Sequence, residues 1–245
     1  MKPWGGATPM AAVVAVALAL ALSGCGSRPV TRDGKVAYSG MGALPEKLAS
    51  DGTTIRVGDP DAPVTLRLYE DPRCPVCEEF EQTGGGPAAH DLTVVRSVVT
   101  EYTLASFLDD RLGGGGSKRA VNALRAALEE GKFAEYHAVL YKNQPEESVD
   151  GFTVAKLLEL AGQVEGLRGP AFDSAVRTMK YRDFVVRSEN AYENDWDAPK
   201  GPGTPTAVIN GTRVQVQFAG ILFDRELFRQ LLSEIKRDPE EWVGF

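Results

Sequence analysis

Two cysteines two residues apart, in Cys74-Pro75-Val76-Cys77, constrain this chain more than any other feature. The motif follows residues 64–70, an apolar-rich run whose Leu66 and Leu68 share one face of a predicted core strand. After Asp71-Pro72-Arg73, a helix is expected to begin at or just before Cys74 and to run through Phe80. Pro75 lacks an N–H and fixes φ, which suits the first helical turn. A strand that delivers a thiol to a helix N-terminus places it where backbone N–H groups are unpaired and the helix dipole is positive. Such a site favours the thiolate, which is the nucleophile. The two-residue spacer lets the second thiol reach the first. Cys74 is therefore expected to form a mixed disulfide with a client, and Cys77 to resolve it. Arg73 adds a positive charge beside the motif, and Glu70, Asp71, Glu78, Glu79 and Glu81 oppose it.

The chain has three cysteines, and the third, Cys25, closes a distinct N-terminal segment. Lys2 is the only charge before it, residues 11–22 are an unbroken run of Ala, Val and Leu, and Ser23 and Gly24 follow. A positive start, a short apolar core and a small-residue exit describe an export signal. The apolar run falls short of the roughly 20 residues of a comfortable membrane span. Leu22-Ser23-Gly24-Cys25 resembles the lipobox of bacterial lipoproteins, which implies cleavage before Cys25 and acyl chains on its sulfur. More than one chain would hold the protein at a membrane. Cys74 and Cys77 are then left as a pair in an oxidising compartment, where a disulfide can form.

The ordered domain is expected to open at Thr53. Residues 54–57 read as a short strand, 58–63 as turn chemistry, and the β-branched stretch 92–99 as the strand after the CxxC helix. Residues 84–87 (Gly-Gly-Gly-Pro) break that helix, and glycines 113–116 mark a boundary. Beyond them the period becomes helical. Val121, Leu124 and Leu128 share one face, Phe133, Tyr136, Val139 and Leu140 another, and Val154, Leu157, Leu158 and Ala161 a third. Strand signals return at residues 206–209, followed by the hairpin pair Asn210-Gly211 and by Val214, Val216 and Phe218 in alternation. Asp224 can cap a last helix with Leu227, Leu231 and Ile235 inward. The sum is an α/β layout interrupted by an all-helical insertion.

Residues 57–64 (Val-Gly-Asp-Pro-Asp-Ala-Pro-Val), residues 70–77 (Glu-Asp-Pro-Arg-Cys-Pro-Val-Cys) and Gly203-Thr204-Pro205-Thr206 together resemble the DsbA-like branch of the thioredoxin superfamily. Residues 133–137 (Phe-Ala-Glu-Tyr-His) resemble its helical insertion. The resemblance implies a thioredoxin-like fold over 52–112 and 199–245 with a helical insertion over 113–198; the export signal gives a leader over 1–24, and the Gly, Ser, Pro, Lys and Arg mixture after it reads as a tether over 25–51. The resemblance also implies a cis bond before Pro205, set against the CxxC, with the backbone of Thr204 offered to a client strand. Leu68 stands where many relatives carry a buried acid, and Glu70 is the nearest substitute as a proton acceptor.

The expected activity is thiol–disulfide exchange with exported proteins, carried by the dithiol itself with no metal or organic cofactor. A membrane redox partner would recycle it. Oxidation is the favoured direction; reduction or isomerisation, as in cytochrome c maturation, is the alternative. A structural disulfide, or a non-enzymatic binding lipoprotein that keeps the fold, is a further one. A zinc site at the pair lacks ligands, because the only histidines, His90 and His137, lie in unrelated segments. His137 is expected to be structural, His90 exposed in a loop, Trp196 a packing residue, and the Glu78, Glu79 and Glu81 run a solvated helix face. Glycines 113–116 lack the order of a phosphate loop. A net charge of −7 provides no basic face for nucleic acid.

Overall fold

The computed structural model describes residues 1, 28–31, 34–194, 200–239 and 242. The apolar run 11–22, the lipobox-like Leu22 to Cys25 and Trp196 lie outside the described residues. In chain order the strands are β1 (Glu46–Leu48), β2 (Ile55–Val57), β3 (Val64–Glu70), β4 (Val98–Leu104), β5 (Thr206–Ile209) and β6 (Thr212–Arg213). The helices are α1 (Pro75–Gln82), α2 (Gly86–Val94), α3 (Leu108–Leu112), α4 (Gly116–Glu129), α5 (Phe133–Lys142), α6 (Val154–Ala161), α7 (Pro170–Thr178), α8 (Arg182–Asn194) and α9 (Arg225–Arg237). Among the described residues, no helix is long and apolar enough to cross a membrane.

The strands form one sheet in the order β1-β2-β4-β3-β5-β6. β3 and β4 pair in parallel from Val64↔Val98 to Glu70↔Leu104, and the other pairings are antiparallel. A parallel pair needs a crossover, and α1 and α2 supply it. β3 is therefore central. It carries Glu70 at its C-terminal end, and β5 lies beside it with Tyr69 opposite Thr206. The α/β layout with an all-helical insertion is observed: α4 to α8 lie between β4 and β5 in the chain, and their predicted apolar faces are buried except for Val139 and Val154, which are partly so. The insertion is bonded to the sheet through Ser188, whose hydroxyl donates to Leu104 O at 2.8 Å and accepts from Leu104 N at 3.1 Å.

Four expectations change. Residues 92–95 end helix α2 instead of opening a strand, and the strand begins at Val98. Gly86-Pro87 starts the helix, Arg96 turns the chain at φ 60, and the β-branched Thr93 bonds its hydroxyl back to Ala89 O at 2.9 Å. Tertiary packing has overridden β-propensity there. The second half of the hairpin is only Thr212–Arg213. Asn210 and Gly211 make the tight turn with φ 48 and 83, but residues Val216–Phe223 then coil as a 3-10 helix that leaves Val216 80% exposed. That coil brings Leu222 O onto Gly85 N at 2.8 Å and closes the chain over the gap between α1 and α2.

In α9 the inward stripe is Phe228, Leu231, Leu232 and Ile235, a full i, i+3, i+4, i+7 set, and Leu227 is exposed. The predicted cap stands: Asp224 accepts from Glu226 N and Leu227 N at 3.0 and 2.9 Å. The tether expected over 25–51 is in part built into the sheet. β1 extends it antiparallel to β2, Leu44 is buried, and the Glu46 carboxylate accepts from Phe133 N and Ala134 N at the start of α5 at 2.8 and 2.7 Å. The free edge of β2 offers a row of unpaired backbone groups, and this segment satisfies them.

Candidate active site

The end of β3 sets the site. Asp71, the next residue, is buried and accepts from Arg73 N, Leu108 N and Ser117 Oγ at 2.9, 3.0 and 2.6 Å. These bonds fold the 71–74 turn, and Cys74 becomes the N-cap of α1 with Pro75 in its first turn. Burial lifts the Asp71 carboxyl to about 7, against the hydrogen bonds from Ser117, Arg73 and Leu108. Arg73 does not serve the thiol as its position suggested. Its guanidinium is buried and donates to Asp109 Oδ1 at 2.8 Å, Gly113 O at 2.9 Å and Glu147 O at 2.8 Å, tying the turn to α3, to the entry of the insertion and to the loop between α5 and α6.

Both cysteines are free thiols. Cys74 is buried but for 6% of its surface, which faces a groove, whereas Cys77 is fully buried. The Cys74 thiol donates to Thr204 O at 3.4 Å, and the Thr204–Pro205 bond is cis. The distant Thr204-Pro205 pair is thus brought against the CxxC. The Cys74 thiol is pulled down to about 6, first by the hydrogen bond from Cys77, then by Thr204 and the N–H groups of Cys77 and Val76, with burial opposing. Cys77 moves the other way. Burial raises it first, and its hydrogen bond to Cys74 and the charges of Cys74 and Glu70 add to that. The pair is polarised: one sulfur holds a thiolate near neutral pH, and the other holds the proton.

Glu70 lies on the same face of β3 as Leu68, one pleat further on, because side chains alternate with a period of two. The substitution expected from the sequence is therefore geometrically available. Burial pushes the Glu70 carboxyl up to about 8, with Glu81 opposing and Cys74 adding. His137 Nε2 lies 3.0 Å from Glu70 Oε2. This histidine is buried among Tyr102, Phe133 and Tyr141, with ring centroids 4.8 to 5.4 Å away.

Sequence reasoning missed two further groups near the site. Glu81, expected on a solvated face, is buried, and burial raises its carboxyl to about 7. His90 is not in a loop but in α2, with its Nε2 3.6 Å from Glu81 Oε2. Glu81 follows Cys77 by four residues, so helical spacing alone puts it on the buried side of α1. Nothing local marks His90. The two histidines from unrelated segments come together at Glu81, away from the zinc role weighed for the cysteines.

In front of Cys74 runs a groove of about 740 Å³ lined by Val76, Phe107, Leu108, Tyr192 and Thr204 among others. In its wall Phe107 and Tyr192 stack at 5.4 Å with planes 9° apart, and Tyr192 OH accepts from Gly203 N at 3.1 Å. Tyr192 comes from the last insertion helix, so the insertion furnishes one side of the groove.

A strand-borne CxxC at a helix start, facing a cis-proline loop, defines the class. Residues 50–221 match the family described as Thioredoxin, and the chain belongs to it. Among curated proteins none matches the sequence. Among solved structures, BdbD from Bacillus subtilis superposes with a TM-score of 0.62 at 19% identity, over 82% of this chain and 98% of that one. MdbA from Corynebacterium diphtheriae, a thiol-disulfide oxidoreductase, matches with a TM-score of 0.59 at 18% identity, over 81% and 95%. Oxidised DsbA from Mycobacterium tuberculosis matches at 25% identity and a TM-score of 0.54, over 78% and 98%. The fold is the thioredoxin-like fold with a helical insertion that these DsbA-like proteins share.

Proposed function

We propose that this chain is a thiol–disulfide oxidoreductase that works outside the cytoplasm, held at the membrane by lipid on Cys25, and oxidises exported proteins through Cys74 and Cys77. The polarisation of the two thiols carries the proposal. The structural relatives named as thiol-disulfide oxidoreductases and as DsbA support it.

In the oxidised form a client thiolate attacks Cys74 Sγ, the Cys74–Cys77 bond breaks, and Cys77 leaves with the electron pair and takes up a proton. A second client thiolate attacks the client sulfur of the mixed disulfide and expels Cys74 as a thiolate. The client gains a disulfide, and two electrons reside on the dithiol until a membrane redox partner removes them. A low thiol pKa makes Cys74 the better leaving group in the second step. It also stabilises the reduced form, which makes the couple more oxidising. Glu70, beside Cys77, exchanges its proton. Pro75 starts the helix that polarises Cys74. Thr204 and Pro205 form the edge on which an extended client segment lies, and no other cofactor takes part.

Cys77→Ser is expected to accumulate mixed disulfides with exported proteins, visible as thiol-sensitive adducts on non-reducing gels, and Cys74→Ser to accumulate none. Equal trapping by both variants overturns the assignment of Cys74 as the sulfur that bonds to clients. The reduction potential of the pair decides direction: a value near the DsbA end of the scale, at about −120 mV, supports oxidation, and one near about −270 mV makes the chain a reductant.

A further inference from the structure

Glu81 on α1, His90 on α2 and His137 on α5 bring one carboxylate oxygen and two imidazole nitrogens within 4.8 Å of one another. Glu81 Oε2 is 3.6 Å from His90 Nε2 and 4.0 Å from His137 Nδ1. Both Glu81 oxygens and His137 Nδ1 are buried without a hydrogen-bond partner among the described residues. Buried polar groups are nearly always paired, so three left unpaired at one point call for an occupant. His137 Nε2 is engaged by Glu70 at 3.0 Å, and when that nitrogen carries the proton, Nδ1 turns a lone pair toward the Glu81 carboxylate. At 4.0 Å the two atoms stand beyond hydrogen-bond reach, so neither satisfies the other.

We propose that Glu81, His90 and His137 form a binding site for a divalent cation of the zinc class, distinct from the dithiol. Two nitrogens and a carboxylate oxygen are the donor set such ions take, at about 2.0–2.2 Å from each ligand. Tetrahedral ligands at that radius stand about 3.3 Å apart, so the separations seen here close with small side-chain movements. Glu70 supplies the carboxylate that orients a metal-bound histidine through its other nitrogen. Gly86 lets α2 close on α1 at this point: a Cβ there would lie 2.8 Å from Glu81 Cα and 3.1 Å from Glu81 Oε2. Glu81 and His137 are enclosed, while the His90 side chain is 17% exposed and provides the way in. The fourth position is open to water or to the second Glu81 oxygen.

The test uses the untagged full chain carrying Cys74→Ser and Cys77→Ser, so that the active-site thiolates cannot bind metal. Equilibrium dialysis against zinc is expected to retain one ion per chain, and cobalt to give the visible bands of a four- or five-coordinate N/O site. His90→Ala, at the rim, is expected to weaken binding by more than about ten-fold while its metal-free melting stays that of the parent. Glu70→Gln is expected to weaken it by about ten-fold. No retained metal overturns the proposal and leaves a water or a shared proton as the occupant. Undiminished binding in His90→Ala overturns it as well, since the ion then sits elsewhere.

Discussion

At the scale of single residues, the chemistry depends on how differently two identical side chains are treated three positions apart. Cys74 caps a helix, receives the Cys77 hydrogen bond and lies against Thr204, and its thiol falls from 9.0 to about 6. The linkage has a definite sign. A depressed thiol pKa stabilises the folded reduced protein above the ordinary value near 9, and that benefit is lost as the pH falls through about 6. The stability gap between the reduced chain and Cys74→Ser, measured by denaturant unfolding, is therefore expected to be larger at pH 8 than at pH 5. A gap that narrows with rising pH would mean that the thiolate is not favoured. Alkylation of Cys74 should likewise reach half its maximal rate near pH 6, whereas Cys77 stays unreactive. Arg73 shows the converse. Next to the motif in sequence, its charge is taken up by Asp109, and an electrostatic argument from adjacency fails.

At the scale of elements, caps and turns follow local chemistry and strand limits do not. Asp224 satisfies two N–H groups at the start of α9, so Asp224→Ala is expected to cost about 1 kcal/mol in urea unfolding. β3 has the predicted bounds because its apolar residues must face a core on a central strand. Residues 92–95, and Val216 and Phe218 beyond the last bond of Val214 to β5, carry strand-like residues but pair with no strand. Without a neighbour to supply hydrogen bonds, β-branched residues join helices or coils that other elements hold in place.

At the scale of the whole molecule, the N-terminal segment is part of the fold. Glu46 caps α5 and β1 covers the edge of β2, so a chain beginning at Thr53 loses both. Such a chain is expected to unfold at lower urea than one beginning at Pro29, by at least about 1 kcal/mol for the lost cap alone. Equal stability would show that the segment merely rests on the surface. For the anchor, Cys25→Ala is expected to abolish acyl labelling and release the protein from the membrane fraction, and unchanged labelling refutes the lipid attachment. The insertion contributes through Tyr192, which lines the groove before Cys74. Phe107→Ala is expected to slow exchange with a protein client more than with a small dithiol, measured as the ratio of the two rates.

The sequence by itself determined the α/β layout, the helical insertion, the bounds of β3, the cap of α9 and the dithiol at a helix start. Each depends on the period of apolar residues or on backbone chemistry within a few positions. Only the tertiary structure decided that Thr204 meets Cys74, that His137 meets Glu70, and that Glu81, His90 and His137 converge. These depend on contacts between separate elements, as far as 130 positions apart for Cys74 and Thr204, which no local pattern encodes. Burial then sets their chemistry. The same carboxyl that is solvated on an exposed helix face holds its proton near neutral pH once α2 and α5 close over it.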